Sequence, residues 1–259
     1  GGASASLALP QAGAWRQSLA ASYDQQGYRD DRTESKRGHV LYRGGGEMLG
    51  GHLHLDVDLT MLDQKPGSPF PREGSRLSDR VPLDANHNPS DAKLDQDRFH
   101  LAAGFDRKLG DIDWNTTLAV TRTNADILHG FLGDLDATDV NAAGYKQTLH
   151  LTDAYFDTHW TMHPDATLQL VGGVDYLYGK GDVAGENFDY FVNLDGSHAP
   201  KSTAFEVQEF PSTRDERNFA GLYAQGEWHP MPRLGITAGV RLNSTRETKT
   251  GAVEPGASG

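Results

Sequence analysis

Residues 52–61 read HLHLDVDLTM. Leu53, Leu55, Val57, Leu59 and Met61 take alternate positions, and His52, His54, Asp56, Asp58 and Thr60 take the others. Wound into a helix, this order would scatter charge around the whole cylinder. Extended, it gives one wholly apolar face and one wholly polar face, because successive side chains of a strand point opposite ways. Period-two alternation is the mark of a strand with two different environments on its two sides.

The same reading spreads outward. In 112–120, Ile112, Trp114, Thr116, Leu118 and Val120 oppose Asp113, Asn115, Thr117 and Ala119. In 234–243, Leu234, Ile236, Ala238, Val240 and Leu242 oppose Gly235, Thr237, Gly239, Arg241 and Asn243. In 98–106, Phe99, Leu101, Ala103 and Phe105 oppose Arg98, His100, Ala102, Gly104 and Asp106. Weaker versions cover 14–25, 34–44, 148–161, 167–180 and 218–229, with a short one at 3–9. About ten strands result, most near the roughly 9–11 residues that a tilted strand needs to cross a bilayer.

Short and long connections alternate strictly. The short ones are 10–13, 44–51, 109–110, 163–166 and 230–232, and the long ones cover about 25–33, 62–95, 127–147 and 181–217. Unstructured loops above about 15 residues are unusual inside a compact domain. An antiparallel up-and-down barrel with short turns at one end and long loops at the other predicts this asymmetry. Tryptophan adds an independent check. Trp15, Trp114, Trp160 and Trp228 all neighbour short turns, where an aromatic girdle at one membrane interface belongs.

Composition narrows the function. Hydrophobic residues make up 37% of the 259, and no stretch approaches the roughly 20 apolar residues of a membrane-spanning helix. Barrels are exempt from that test, because every second residue faces the lumen. The absence of cysteine excludes disulfides, thiolate metal sites and cysteine nucleophiles. A formal net charge of -12 is the wrong sign for nucleic acid. No GxSxG, HExxH or P-loop appears, so an enzyme is not expected, and no cofactor is implied. The opening GGASASLAL has no basic export region, and 251–259 has a loop composition without a terminal aromatic. Either a leader has been removed or 1–259 is an internal portion of a longer protein; the far end agrees with a portion, and all of 1–259 reads as one partial barrel domain.

The stretch 219–243, FAGLYAQGEWHPMPRLGITAGVRLN, carries a resemblance. Leu222, Tyr223, Ala224, Gln225 and Glu227, a Pro-containing turn, then Leu234, Gly239, Val240 and Arg241 resemble a hairpin of TonB-dependent outer-membrane receptors. GYR at 27–29 and GVDYLYGKGD at 173–182 are similar in style. The family's plug and energy-coupling box are missing. Its barrels have about 22 strands, so about ten would be less than half of one, an open curved sheet in isolation. The resemblance implies an outer-membrane protein of a Gram-negative bacterium. It implies uptake of a scarce nutrient such as a ferric siderophore, with partners in membrane lipid, an iron chelate and, through the missing N-terminal region, the TonB complex. A passive porin-like channel and a soluble all-β carbohydrate-binding domain are the rival readings.

Candidate site residues follow from residue type. Arg72, Arg76 and Arg80 lie in the second long loop, where guanidinium groups suit an anionic chelate. Tyr190 and Phe191 lie in the fourth, where aromatic rings can stack on a ligand. Tyr176 and Tyr178 suit the outer aromatic girdle. No metal site is assigned. Its weak candidates are His52 with His54 on one strand face, and Asp84, Asn86, Asn88 and Asp95 in the loop DANHNPSDAKLD, where Pro89 replaces the glycine a calcium loop requires.

Overall fold

The computed structural model describes residues 1–251, apart from the side chains of 209–211. The reading of 252–259 as loop lies outside the described residues. The strands are β1 (Gly2–Ala12), β2 (Trp15–Gly27), β3 (Glu34–Met48), β4 (Gly51–Lys65), β5 (Arg72–Glu73), β6 (Arg76–Leu77), β7 (Lys93–Leu109), β8 (Ile112–Leu132), β9 (Ala142–Asp165), β10 (Leu168–Tyr190), β11 (Val207–Met231) and β12 (Leu234–Thr250). β5 and β6 form a separate small hairpin. The other ten make one antiparallel sheet in which each strand pairs with the next in sequence. β1 and β12 do not pair, so the sheet is open, with two free edges.

Every strand expected from alternation is present. The inner connections are two-residue turns, and the outer ones are 28–33, 66–92, 133–141 and 191–206. At 49–50, both Leu49 (φ 56°) and Gly50 (φ 75°) are left-handed, the combination that matches the twist of a tight hairpin. The sequence reading of 44–51 as a turn was too generous. Gly44, Gly45 and Gly46 continue β3. A Cβ at Gly44 would collide with the Trp15 indole, and one at Gly46 with the backbone at Ala14. These glycines admit a close approach from β2 and do not make the bend.

Register keeps the alternation coherent across the sheet. Leu19, Tyr42, Val57, Leu101, Val120, Ala154 and Tyr178 form one continuous cross-strand row. Its neighbours on the same face include Leu55, Ala103, Leu118, Phe156 and Tyr176. The four tryptophans lie at the turn end. Trp114 sits directly opposite Trp160, and its indole donates to Thr158 Oγ1 at 2.9 Å. Trp15 donates to Tyr42 Oη at 3.1 Å.

The long connections are shorter than expected, because β8 to β11 run for 21 to 25 residues. A bilayer needs only about 9–11. The extensions carry the sheet well past the apolar band, and their outer ends hold the hydrophobic core. Val81, Leu128, Leu132, Ala142, Phe188, Tyr190 and Val192 are buried together there, between the strand ends and the outer loops.

Candidate functional site

Along β8 the two faces exchange character. Leu118 and Val120 on the apolar face are followed at the same register positions by Arg122, Asn124 and Asp126. On the polar face, Thr117 and Thr121 give way to Ala125, Ile127 and Phe131. β9 and β10 repeat the exchange: Phe156 is followed by Thr152, His150 and Lys146, and Tyr178 by Lys180 and Asp182. Beyond the apolar band, the face that was polar becomes apolar and aromatic.

Its outermost part forms a cleft of about 640 Å³ lined by Phe131, Tyr145, Asn187, Phe188, Asp189 and Gln208, among others. The rings of His129, Phe131 and Tyr145 form a group with centroids 5.5 to 6.2 Å apart. His129 Nδ1 is buried without a hydrogen-bond partner. Asn187 and Gln208 face each other across the β10–β11 pair. Aromatic faces beside amide and carboxylate groups suit a flat, polar-edged organic ligand. The sequence reading missed this wall, because Phe131 and Tyr145 lie in a stretch read as loop.

Beside the cleft, the outer loops interlock. Asn86 Nδ2 donates to Thr33 Oγ1 and to the Pro66 carbonyl, both at 3.0 Å. Asn88 Nδ2 donates to the same carbonyl at 2.9 Å, and Asn88 Oδ1 accepts from the Gly130 amide at 2.8 Å. The Arg32 guanidinium donates to the carbonyls of Asn86 and Asn88. His87 is fully buried, with Nε2 donating to the Leu194 carbonyl at 2.9 Å and Ser68 Oγ 3.2 Å from Nδ1. Burial pushes its pKa down, and the Arg32 charge adds to the effect, against smaller upward contributions from the Leu194 carbonyl and Asp195. His87 is therefore a neutral strut. For Asp30, burial favours the neutral acid, but hydrogen bonds from Thr33, Asn86 and the Arg32 and Thr33 amides outweigh it and lower the pKa.

These contacts place the sequence candidates. Tyr190 is corrected: it is 2% exposed, stacks on Phe205 at 5.1 Å and donates to the His87 carbonyl at 2.7 Å. Its ring belongs to the loop core and presents no surface to a ligand. Arg80 ties loops together, donating to the Leu135 carbonyl at 2.7 Å and pairing with Asp136 at 2.8 Å. Arg72 and Arg76 stand exposed on the small β5–β6 hairpin. Phe191 is 42% exposed beside the core. Among the weak metal candidates, the amides of Asn86 and Asn88 are committed to the loop scaffold, while Asp84 is exposed and Asp95 pairs with Lys93 at 2.9 Å. His52 leans on Glu47 at 3.2 Å, and the His54 ring fills the space beside Gly104. Among the described residues, no three His, Asp or Glu side chains converge as a metal site.

Lower on the polar face, Arg241 donates to Asp175 Oδ2 at 2.6 Å. Its guanidinium lies 5.7 Å from the Phe219 ring centre and 5.5 Å from that of Tyr223. Tyr223 in turn donates to Asp157 at 3.2 Å, and Asp157 accepts from His159 at 2.7 Å.

The profile of the TonB dependent receptor-like β-barrel matches residues 15–258. The chain belongs to this family. It shares the fold of several solved TonB-dependent receptors. One is the ferripyoverdine receptor of the outer membrane of Pseudomonas aeruginosa bound to ferripyoverdine, with a TM-score of 0.74 and 17% identity over 96% of this chain and 37% of that one. Another is Fiu, the ferric-catecholate import receptor from E. coli K12, in its open form, at 0.69 and 12% over 100% and 44%. A third is the ferric citrate transporter FecA, unliganded, at 0.66 and 9% over 95% and 35%. The chain thus spans less than half of each of these receptors. No curated protein sequence matches it. In a receptor of this family the apolar band faces lipid and the polar face lines the lumen.

Proposed function

We propose that this ten-stranded wall belongs to an outer-membrane receptor that takes up a ferric chelate with energy from the TonB complex. The observation that carries the reading is the cleft of Phe131, Tyr145, Asn187, Asp189 and Gln208 on the lumen-side face, beyond the apolar band. Aromatic surface can stack on a catecholate or a chromophore, and the amides and carboxylate can fix its polar edge. The exposed Arg72 and Arg76 on the loop hairpin, with Phe191, would meet an anionic chelate first. Structural neighbours described as ferripyoverdine and ferric-catecholate receptors support this ligand class. On this reading residues 1–259 form part of one barrel domain.

The test uses the complete receptor in cells, with ferric pyoverdine-type and ferric catecholate-type chelates as probes. Phe131→Ala with Tyr145→Ala should weaken chelate binding by about 10-fold or more, taking roughly 1 kcal/mol for each aromatic contact. Uptake should stop when TonB is deleted. Uptake that continues without TonB and rises linearly with concentration would instead mean a passive channel.

A further inference from the structure

The aromatic cleft has a sign as well as a shape. We infer that it selects a positively charged group of the ligand, an ammonium or guanidinium, so that chelates carrying one bind better than chelates that do not. The inference rests on the uptake reading proposed above for its ligand, and on the lining of the cleft for its charge.

Register sets out the polar groups. Asn187 on β10 faces Gln208 on β11, and Phe188 faces Val207. One step beyond that last pair, Asp189 falls opposite Glu206, and both line the cleft. Like charges directly opposite each other on neighbouring strands are destabilising. Nothing in the protein relieves this pair. Among the described residues, no Lys, Arg or His lines the cleft, and no ion pair engages either carboxylate. Lys146 sits on the reverse face of the sheet, 3.7 Å from Glu186. Lys201 precedes the short helix Ser202–Ala204 and does not line the cleft. His129, packed beside Phe131 and Tyr145, adds no competing charge, because burial holds its pKa down.

The walls suit the same occupant. Phe131 and Tyr145 have ring centres 6.2 Å apart, and Phe188 stacks on Phe205 at 5.0 Å. An ammonium or guanidinium is drawn to the face of an aromatic ring. Its N–H groups then find the carboxylates of Asp189 and Glu206 as charge-assisted acceptors, with the Asn187 and Gln208 amides beside them. An anionic group would meet the same rings together with two uncompensated carboxylates. The cleft itself is the site, and the carboxylates decide which ligands it takes. A chelate that fits places its cation here and its anionic part towards the exposed Arg72 and Arg76.

The experiment uses the purified complete receptor and two pairs of probes. The first pair is iron-free: benzylammonium and benzoate, followed by saturation-transfer NMR. The second is a ferric pyoverdine-type chelate with a free side-chain amine, and the same chelate acetylated on that amine. The wild type should bind each cationic probe about 10-fold better than its partner, the lower end of what a hydrogen bond to a charged group is worth. In the variant Asp189→Asn, Glu206→Gln both preferences should fall towards parity. Its thermal stability should not drop, because two facing like charges are removed. Equal binding of benzylammonium and benzoate by the wild type, or a preference that survives the double substitution, overturns the proposal. If the double variant does not fold, each single substitution is scored, and an unchanged preference overturns the proposal equally. Displacement of benzylammonium by calcium would mark a metal site and overturn the organic-cation assignment. A preference for benzylammonium with neither chelate bound would defeat the ferric-chelate reading and leave the cation-selective cleft standing. Chelate binding without any preference for the amine would defeat only this inference.

Discussion

The side-chain carbonyl of Asn88 accepts the backbone amide of Gly130 at 2.8 Å, joining the longest outer loop to the top of β8 across 42 residues of sequence. Asn88 is 1% exposed, so neither partner can turn to water instead. Asn88→Ala leaves the Gly130 amide buried and unpaired, at a cost of about 1–3 kcal/mol. Asn88→Asp should cost more, because a carboxylate then faces the Pro66 carbonyl that Nδ2 now satisfies at 2.9 Å. The check is amide hydrogen exchange at the outer end of β8, which should accelerate in both variants while the membrane-level strands stay protected. Uniform exchange across the sheet would show that the loops do not form a separable unit.

His87 makes the same assembly sensitive to acid. Its pKa in the folded state lies below the ordinary value of about 6.5. The unfolded loop therefore binds a proton more readily than the folded one. The stabilisation is complete above about pH 6.5 and is lost as pH falls through the folded-state pKa. Asp30, also lowered, extends the loss below the ordinary carboxylate range. Loop protection measured from pH 8 to pH 4 should decline first in the histidine range. His87→Gln should flatten that first step, and a decline unchanged by the substitution would clear His87 of the role.

Two glycines separate packing from tolerance. A Cβ at Gly130 would strike the Tyr190 phenol and approach Pro89 Cδ to 3.0 Å. Tyr190 cannot retreat, since it is held by the His87 carbonyl and the Phe205 ring. Gly130→Ala should destabilise the loop layer by roughly 1–3 kcal/mol. The three atoms nearest a Cβ at Gly104 all belong to the His54 ring, an exposed side chain free to swing away. Gly104→Ala should shift stability by less than about 0.5 kcal/mol. Thermal unfolding of both variants decides the matter, and equal losses would contradict the contrast.

The strands were legible because the apolar band imposes one phase on each of them. Leu53 to Met61 and Ile112 to Val120 alternate cleanly, since the two faces of a barrel strand meet different surroundings. Beyond Arg122 that contrast first inverts, with Asn124 and Asp126 against Ala125 and Ile127, and then ends. Ile127, Leu128, Phe131 and Leu132 are apolar on both faces, because loops cover one and the cleft opens on the other. Alternation fades there, so the outer strand ends were read as loop. Asn86 and Asn88 looked like turn residues or oxygen ligands for the same reason. Their partners Thr33, Pro66 and Gly130 stand too far off in sequence to leave a local signal.

Arg241 gives the family-like GVR segment a physical role. Its partner Asp175 has a side chain only 10% exposed, and Phe219 and Tyr223 wall the guanidinium on the lumen-side face. A Cβ at Gly221 would press into both charged groups, so the glycine keeps the pair in place. Removing either partner should destabilise the barrel wall, and the charge left behind on Asp175 makes Arg241→Ala the costlier change. A double-mutant cycle with Arg241→Ala and Asp175→Ala, read by urea unfolding of the complete receptor, should give a coupling energy of about 1–3 kcal/mol. Arg241→Lys should recover only part of it, because a lysine keeps the charge but not the planar fork and its ring contacts. Additive single-variant effects, agreeing within about 0.3 kcal/mol, would mean that lumen water screens the pair completely.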